Sequence, residues 1–345
     1  MSARTVGKTE TAKTETAKTE TAESEMKRTE SAGPSVTILG GGPFGRALGQ
    51  VAERRGAVVT LWSSRKDCEL PSGLRRARTL GEAAAASRLL FFCAPASHAR
   101  ALLNQLGDVV DGSHLLVHAA RGLEAPGGTT LSEMVRVETP IRRIGVLAGA
   151  LVPSELAAAI PSAVVVASRF PEVVAAAQAA LAQPALRVYG SDDLAGVELS
   201  AALMTVVALS AGLATGLGGG VSTRAVMVAR GIAQAARVLE AMGAKARTLA
   251  GLGGVGEVFV TAQGIESPDY DLGVALGRGV PPKEARAALG RTSEGPSVAA
   301  CIAELAKARG VNASLFAAVR DVVEGKKSAM EAMAALSGGS VRSEV

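Results

Sequence analysis

A chain of 345 residues with 48% hydrophobic and 20% charged side chains is long enough for two cores and too apolar to be disordered throughout. Three widely spaced cysteines, Cys68, Cys93 and Cys301, make neither a disulfide framework nor a metal-ligand set, so no metal is expected and a reducing cytoplasm fits best. A net charge of +5 from 37 basic and 32 acidic residues, without a basic stripe interleaved with aromatics, speaks against a nucleic-acid surface.

The chain opens on KTETAKTETAKTETA over residues 8–22, a five-residue period that matches neither helix nor strand and lacks the apolar core of a secretory signal. Residues 1–34 are therefore expected to form a disordered repeat tail. The first structural signal is the β-branched run Ser35–Leu39, which leads into Gly40-Gly41-Gly42-Pro43-Phe44-Gly45 and then into a helical pattern. A second strand at 57–62 follows at the distance of a βαβ unit. In that setting Gly40 permits a tight turn, Gly42 lets the backbone approach a pyrophosphate, and Gly45 lets helix and strand pack closely. Such a loop binds a dinucleotide at the positive end of its helix.

At the tip of the second strand a carboxylate would normally hold the ribose hydroxyls of NAD. This chain has Ser63, Ser64 and Arg65 there, groups that accept a 2′-phosphate, so NADP is favoured over NAD. Further apolar runs at 89–94, 115–118, 144–147 and 163–166 continue the α/β rhythm, and their near-continuous apolarity suits a parallel sheet covered on both faces. The expected fold over 35–190 is an α/β Rossmann-type domain with a mostly parallel, doubly wound sheet.

From residue 191 the periodicity becomes helical, over 194–217, 221–243, 282–289, 298–309 and 314–324. An all-α C-terminal substrate domain over 191–338 is expected, with a flexible terminus at 339–345. Residues 201–221 carry no charge and reach membrane-spanning length. Thr205, Ser210, Thr215 and the glycine-rich end dilute that apolarity, and no Lys/Arg cluster flanks it, so a buried helix without membrane insertion is expected. The cleft between the domains is the expected site for a small-molecule substrate. Glycine- and alanine-rich helices would also permit a close homodimer. His98 reads as a loop residue, His114 and His118 as structural, and Cys93 as inert core.

Beyond the nucleotide loop, VTLW (59–62), AARGLE (119–124), AVVVAS (163–168), ARGIAQAARVLEAMGA (229–244), GLGGVGEVFVT (251–261), SEGPSV (293–298) and VVEGKKSAMEAMAAL (322–336) occur in one order and spacing. Together they resemble the NAD(P)-dependent glycerol-3-phosphate dehydrogenase family across nearly everything but the tail. The resemblance implies reduction of dihydroxyacetone phosphate to sn-glycerol 3-phosphate with NAD(P)H, a step that supplies glycerophospholipid synthesis. It implies Phe44, Arg121 and Glu294 as cofactor contacts beside Gly40, Gly42, Pro43, Gly45, Ser64 and Arg65. It also implies Arg121, Glu257 and Thr261 around the reacting carbonyl, and Gly149 and Ser267 toward the substrate.

The sequence departs from the family at telling places. Met204 stands where the family carries its catalytic lysine, Thr205 replaces the following asparagine, and Arg121 replaces a second lysine. A thioether donates no proton, and a guanidinium is a poor acid. Pro268-Asp269 replaces an Arg-Asn pair that grips phosphate. Weak or altered activity follows from these changes. Two alternatives stand beside it: a non-catalytic dinucleotide-binding paralogue, and an oxidoreductase for another small carbonyl compound.

Overall fold

The computed structural model describes residues 33–65 and 67–337; the KTETA repeats, Lys66 and residues 338–345 lie outside them, and with them most of the expected N-terminal tail and the expected flexible C-terminus. Eight strands, β1 (Ser35–Leu39), β2 (Val58–Trp62), β3 (Arg75–Arg76), β4 (Leu89–Phe92), β5 (Leu115–His118), β6 (Arg143–Ala148), β7 (Ser162–Ser168) and β8 (Leu186–Ser191), form one sheet in the order β3-β2-β1-β4-β5-β6-β7-β8. Because β1 pairs in parallel with both β2 and β4, the connections leave in opposite directions at its carboxyl end, the crevice where open α/β sheets bind ligands.

Strand alternation sends neighbouring residues to opposite cores. Ile38, Leu61 and Phe91 meet Leu48 and Val51 of α1 (Pro43–Arg54) and Val173 and Ala177 of α6 (Pro171–Leu181). On the other face Leu39, Leu90, Phe92 and Leu116 meet α2 (Leu80–Ala86), α3 (Ala99–Gly107) and α4 (Leu131–Glu138). Helix α5 (Pro153–Ala157) packs beside α1, where Arg54 Nη1 donates to Ala157 O at 3.0 Å.

Two features at the far edge of the sheet differ from expectation. The run at 163–166 lies in β7, which is antiparallel to β6, so it is not part of the parallel series. β8, not foreseen, pairs in parallel with β7 and ends the sheet at Ser191. An apolar run fixes burial, not direction, and β8 shows a mixed, half-exposed pattern with Tyr189 50% exposed.

The helical part begins with α7 (Leu194–Gly216), whose N-cap Asp193 accepts from Gly196 N at 3.0 Å. This is the one helix among the described residues long and apolar enough to cross a membrane, and 94% of its apolar window is buried within the protein. The hydroxyls of Thr205 and Ser210 donate back to Ala202 O and Val207 O at 2.6 and 2.7 Å, which lets polar groups sit in that interior. Around α7 lie α8 (Val221–Ala241), α9 (Glu257–Thr261), α10 (Pro268–Gly277), α11 (Pro282–Ala288), α12 (Gly295–Ala308), α13 (Ser314–Val323) and α14 (Ala329–Ser337).

The tightest of these contacts is α7 on α10. Side chains at Gly212 or Gly216 would overlap the carbonyls of Tyr270 and Val274, and side chains at Gly273 or Gly277 those of Leu209 and Leu213. Paired glycines four residues apart on both helices thus let the two backbones touch. The first turns of α7 pack through Leu194, Val197 and Ala201 onto Val146, Ala148 and Ala167 of β6 and β7. One turn further in, Glu198 accepts from Ser132 N at 2.9 Å and lies 3.1 Å from His118 Nε2. His118 is therefore a structural link between β5 and α7, as its place in a strand suggested.

Candidate active site

The nucleotide loop begins where β1 ends. Gly40 has φ +129°, and a Cβ there would stand 2.8 Å from the carbonyl carbon of Cys93, so no other residue fits. Its amide donates to Trp62 O at 2.9 Å, tying the turn to the end of β2. A Cβ on Gly45 would collide with the carbonyl oxygen of Gly40. Gly42 is different in kind. It is the N-cap of α1, extended at φ −68° and ψ 173°, and a Cβ on it meets nothing within 4 Å.

No side chain caps α1, and Pro43 at its first turn brings no amide of its own. The positive end of the helix therefore faces the open space beside Gly42, an arrangement that fits a pyrophosphate. Pro43 is exposed and Phe44 half-buried on the same turn. Ser64 and Arg65 are exposed at the end of β2, and among the described residues no carboxylate pairs with Arg65. One contributor escaped the sequence reading: the Cys68 thiol donates to Gly41 O at 3.1 Å and packs the loop from outside. Burial pushes the Cys93 thiol up to about 12, consistent with an inert role.

Sheet and helical residues converge on Arg121, which follows β5. Its guanidinium is paired through Nη1 with Glu257, and the side chain remains 37% exposed. Glu257, 5% exposed, begins α9 directly after a π-helical turn at Leu252–Gly256, and Gly149 offers its backbone amide to the same carboxylate. Glu294 is the N-cap of α12. Its two oxygens accept from Ala96 N at 2.6 Å and Arg121 N at 2.7 Å, so one carboxylate holds the loops after β4 and β5 against the helical part.

Asp269, 7% exposed, sits in the first turn of α10, and its Oδ1 accepts from Ser293 Oγ at 2.6 Å and Gly295 N at 2.7 Å. Pro268 is the first-turn proline of α10, the position where a missing amide costs nothing. Desolvation pushes the carboxyls of Glu257, Asp269 and Glu294 above the usual range, against the opposing pull of Arg121 and the backbone donors.

The remaining predicted residues fall as follows. Met204 is 0% exposed in the core formed with Leu199, Leu203 and Val207. It neighbours the point where Thr205 O comes within 3.3 Å of a Cβ built on Gly295, beside Asp269. Thr261 keeps its hydroxyl on Glu257 O at 3.0 Å, within its own helix. Ser267 is the N-cap of α10, with Oγ accepting from Tyr270 N at 3.3 Å. Gly149 has φ +148° at the end of β6, next to Glu257. His98 is exposed with its ring Nδ1 3.0 Å from Ser97 Oγ, and no group of three His, Cys, Asp or Glu among the described residues is placed to hold a metal.

A glycine-rich loop at a sheet switch point, with a charged cluster in which Arg121 of the sheet part meets Glu257 and Glu294 of an all-helical part, defines a two-part dinucleotide-dependent oxidoreductase fold. The family models for NAD-dependent glycerol-3-phosphate dehydrogenase match residues 64–174 with their N-terminal part and 193–334 with their C-terminal part. Glycerol-3-phosphate dehydrogenase [NAD(P)+] of Azotobacter vinelandii is 33% identical over 90% of this chain and 96% of its own length. The Erythrobacter litoralis protein of the same name is 34% identical over 84% of this chain and 92% of its own. The crystal structure of glycerol-3-phosphate dehydrogenase from Coxiella burnetii superposes with a TM-score of 0.83 at 26% identity, covering 89% of this chain and 99% of that one. The chain belongs to the NAD(P)-dependent glycerol-3-phosphate dehydrogenase family, and its cofactor class is a nicotinamide dinucleotide.

Proposed function

We propose that this protein is a nicotinamide-dependent reductase that carries out the reaction of its family, dihydroxyacetone phosphate to sn-glycerol 3-phosphate, slowly. The observation that carries this reading is the intact cofactor cradle, Gly40 to Gly45 with the uncapped end of α1, set against a cluster built from Arg121, Glu257, Asp269 and Glu294. The sheet domain over 35–190 holds the dinucleotide; the helical domain over 191–338 supplies the substrate side.

When bound, the reduced nicotinamide supplies a hydride to the carbonyl carbon. The protein has then to stabilise charge on oxygen and deliver a proton. The free N–H groups of Arg121 serve the first need. Glu257, whose proton is held more tightly because the carboxyl is buried, serves the second. Thr261 shapes the helix that presents Glu257, and Glu294 fixes the backbone of Arg121 beside the cofactor. With Met204 in place of an ammonium, the rate is expected to lie roughly 10²–10⁴-fold below that of an enzyme with a dedicated acid.

Ser64 and Arg65 favour NADP over NAD. Arg65→Ala is expected to weaken NADPH binding about tenfold, the worth of one charge-assisted hydrogen bond, and to leave NADH binding unchanged in a fluorescence titration. The reductase reading itself is tested by mixing the purified protein with NADPH and dihydroxyacetone phosphate: slow, enzyme-proportional oxidation of NADPH supports it. Clear NADPH binding with no oxidation of any carbonyl substrate would favour the non-catalytic reading.

A further inference from the structure

We propose that the substrate end of this cleft selects an uncharged hydroxyketone over a phosphate monoester. The inference rests on the reductase chemistry above and ranks an uncharged ketone ahead of the phosphate ester which that reading names. A phosphate needs convergent donors: backbone amides, hydroxyls, a helix N-terminus or a guanidinium. The site has these, and the chain's own carboxylates hold all but the remaining N–H groups of Arg121. Glu294 takes the amides of Ala96 and Arg121. Asp269 takes the Ser293 hydroxyl and the Gly295 amide at the start of α12. Glu257 takes Nη1 of Arg121.

An incoming phosphate dianion would have to displace groups tethered to the protein and therefore present at high effective concentration. It would also leave carboxylates stripped of partners in a desolvated site, which is strongly unfavourable. Among the described residues Arg121 is the only cation in hydrogen-bond or ion-pair contact with the three carboxylates, and Pro268 and Met204 add no donor.

An uncharged hydroxyketone meets the same surface without conflict. Its carbonyl oxygen accepts from the uncommitted N–H groups of Arg121, and its hydroxyls donate to the remaining lone pairs of Asp269 and Glu257. The electron balance is that of the parent reaction. The hydride passes from the reduced nicotinamide to the carbonyl carbon, a proton from Glu257 goes to the oxygen, and the products are a secondary alcohol and oxidised nicotinamide. Solvent then restores the Glu257 proton.

The test compares dihydroxyacetone with dihydroxyacetone phosphate at saturating NADPH in the full-length protein, with loss of reduced cofactor as the readout. The expected result is kcat/KM at least about tenfold higher for the uncharged ketone, with no competition from inorganic phosphate. Asp269→Asn should narrow the ratio severalfold, because the amide can still accept from Gly295 while losing its negative charge. If that variant does not fold, phosphate competition in the unaltered protein remains the deciding measurement. Preference for the phosphate ester, or competitive inhibition by inorganic phosphate, overturns the proposal and leaves the reductase reading standing. Failure to reduce either ketone while NADPH binds overturns both.

Discussion

Gly42→Val is expected to lower NADPH affinity by more than about 100-fold, or some 2.7 kcal/mol, while leaving the melting temperature within a few degrees of the parent. The backbone at Gly42 is already extended, a conformation valine prefers, and the space beside it is empty of protein. The added side chain fills only the volume assigned to the pyrophosphate. Gly45→Ala is the matched control with the opposite signature, since its methyl collides with the carbonyl of Gly40 and the loop has to move. That variant is expected to lose both affinity and stability. A fluorescence titration with NADPH and a thermal melt on each protein separate the two effects. If the valine variant binds as tightly as the parent, the cofactor does not lie against Gly42.

Met204→Lys is expected to raise kcat on dihydroxyacetone phosphate by about 10²-fold, the worth of one positioned acid, and to lower the melting temperature at the same time. The second half follows from burial: Met204 is fully enclosed with Leu199, Leu203 and Val207, and an ammonium there is costly unless it is paired. The first half follows from position. The α7 backbone at Thr205 runs beside Asp269 and the start of α12, so a lysine one residue earlier has carboxylates toward which to extend. Pairing the change with Asp269→Asn should add to the gain on the phosphate ester by removing a like charge. Steady-state kinetics beside a melt of the same preparation check it. A folded variant without faster turnover would show that Met204 does not border the reacting carbonyl.

Much of this architecture is legible in the chain because its signals are local. The β-branched run before Gly40, the spacing to the second strand and the long apolar period of α7 each state their own structure. The glycine-rich loop is equally legible, since Gly40 and Gly45 each answer a separate steric demand. What is not legible depends on partners distant in sequence. β3 is two exposed arginines, Arg75 and Arg76, and becomes a strand only because β2 offers it an edge. The direction of β7 depends on how the chain returns to the sheet, which alternating side chains do not encode.

Helix α10 is missing from the helical stretches read in the sequence because its PDYDLGVALG contains two glycines and a proline. The signal that would have found it is the match of Gly273 and Gly277 to Gly212 and Gly216 on α7, a pattern meaningful only for two helices considered together. The same holds at the site. Asp269 reads as a charge facing the substrate, yet it also caps α12 through Gly295, 26 residues away. Glu294 reads as a cofactor contact, yet its carboxylate spans two loops of the sheet domain. Those backbone partners turn an apparent anion pocket into one that the protein fills with its own anions.

The central claim is that a reduced nicotinamide dinucleotide settles on Gly40 to Gly45, and the most direct measurement is a titration of the full-length protein with NADPH, followed by cofactor fluorescence. A saturable, one-to-one signal, weaker with NADH, is the predicted result. No saturable signal with either nucleotide would contradict the account.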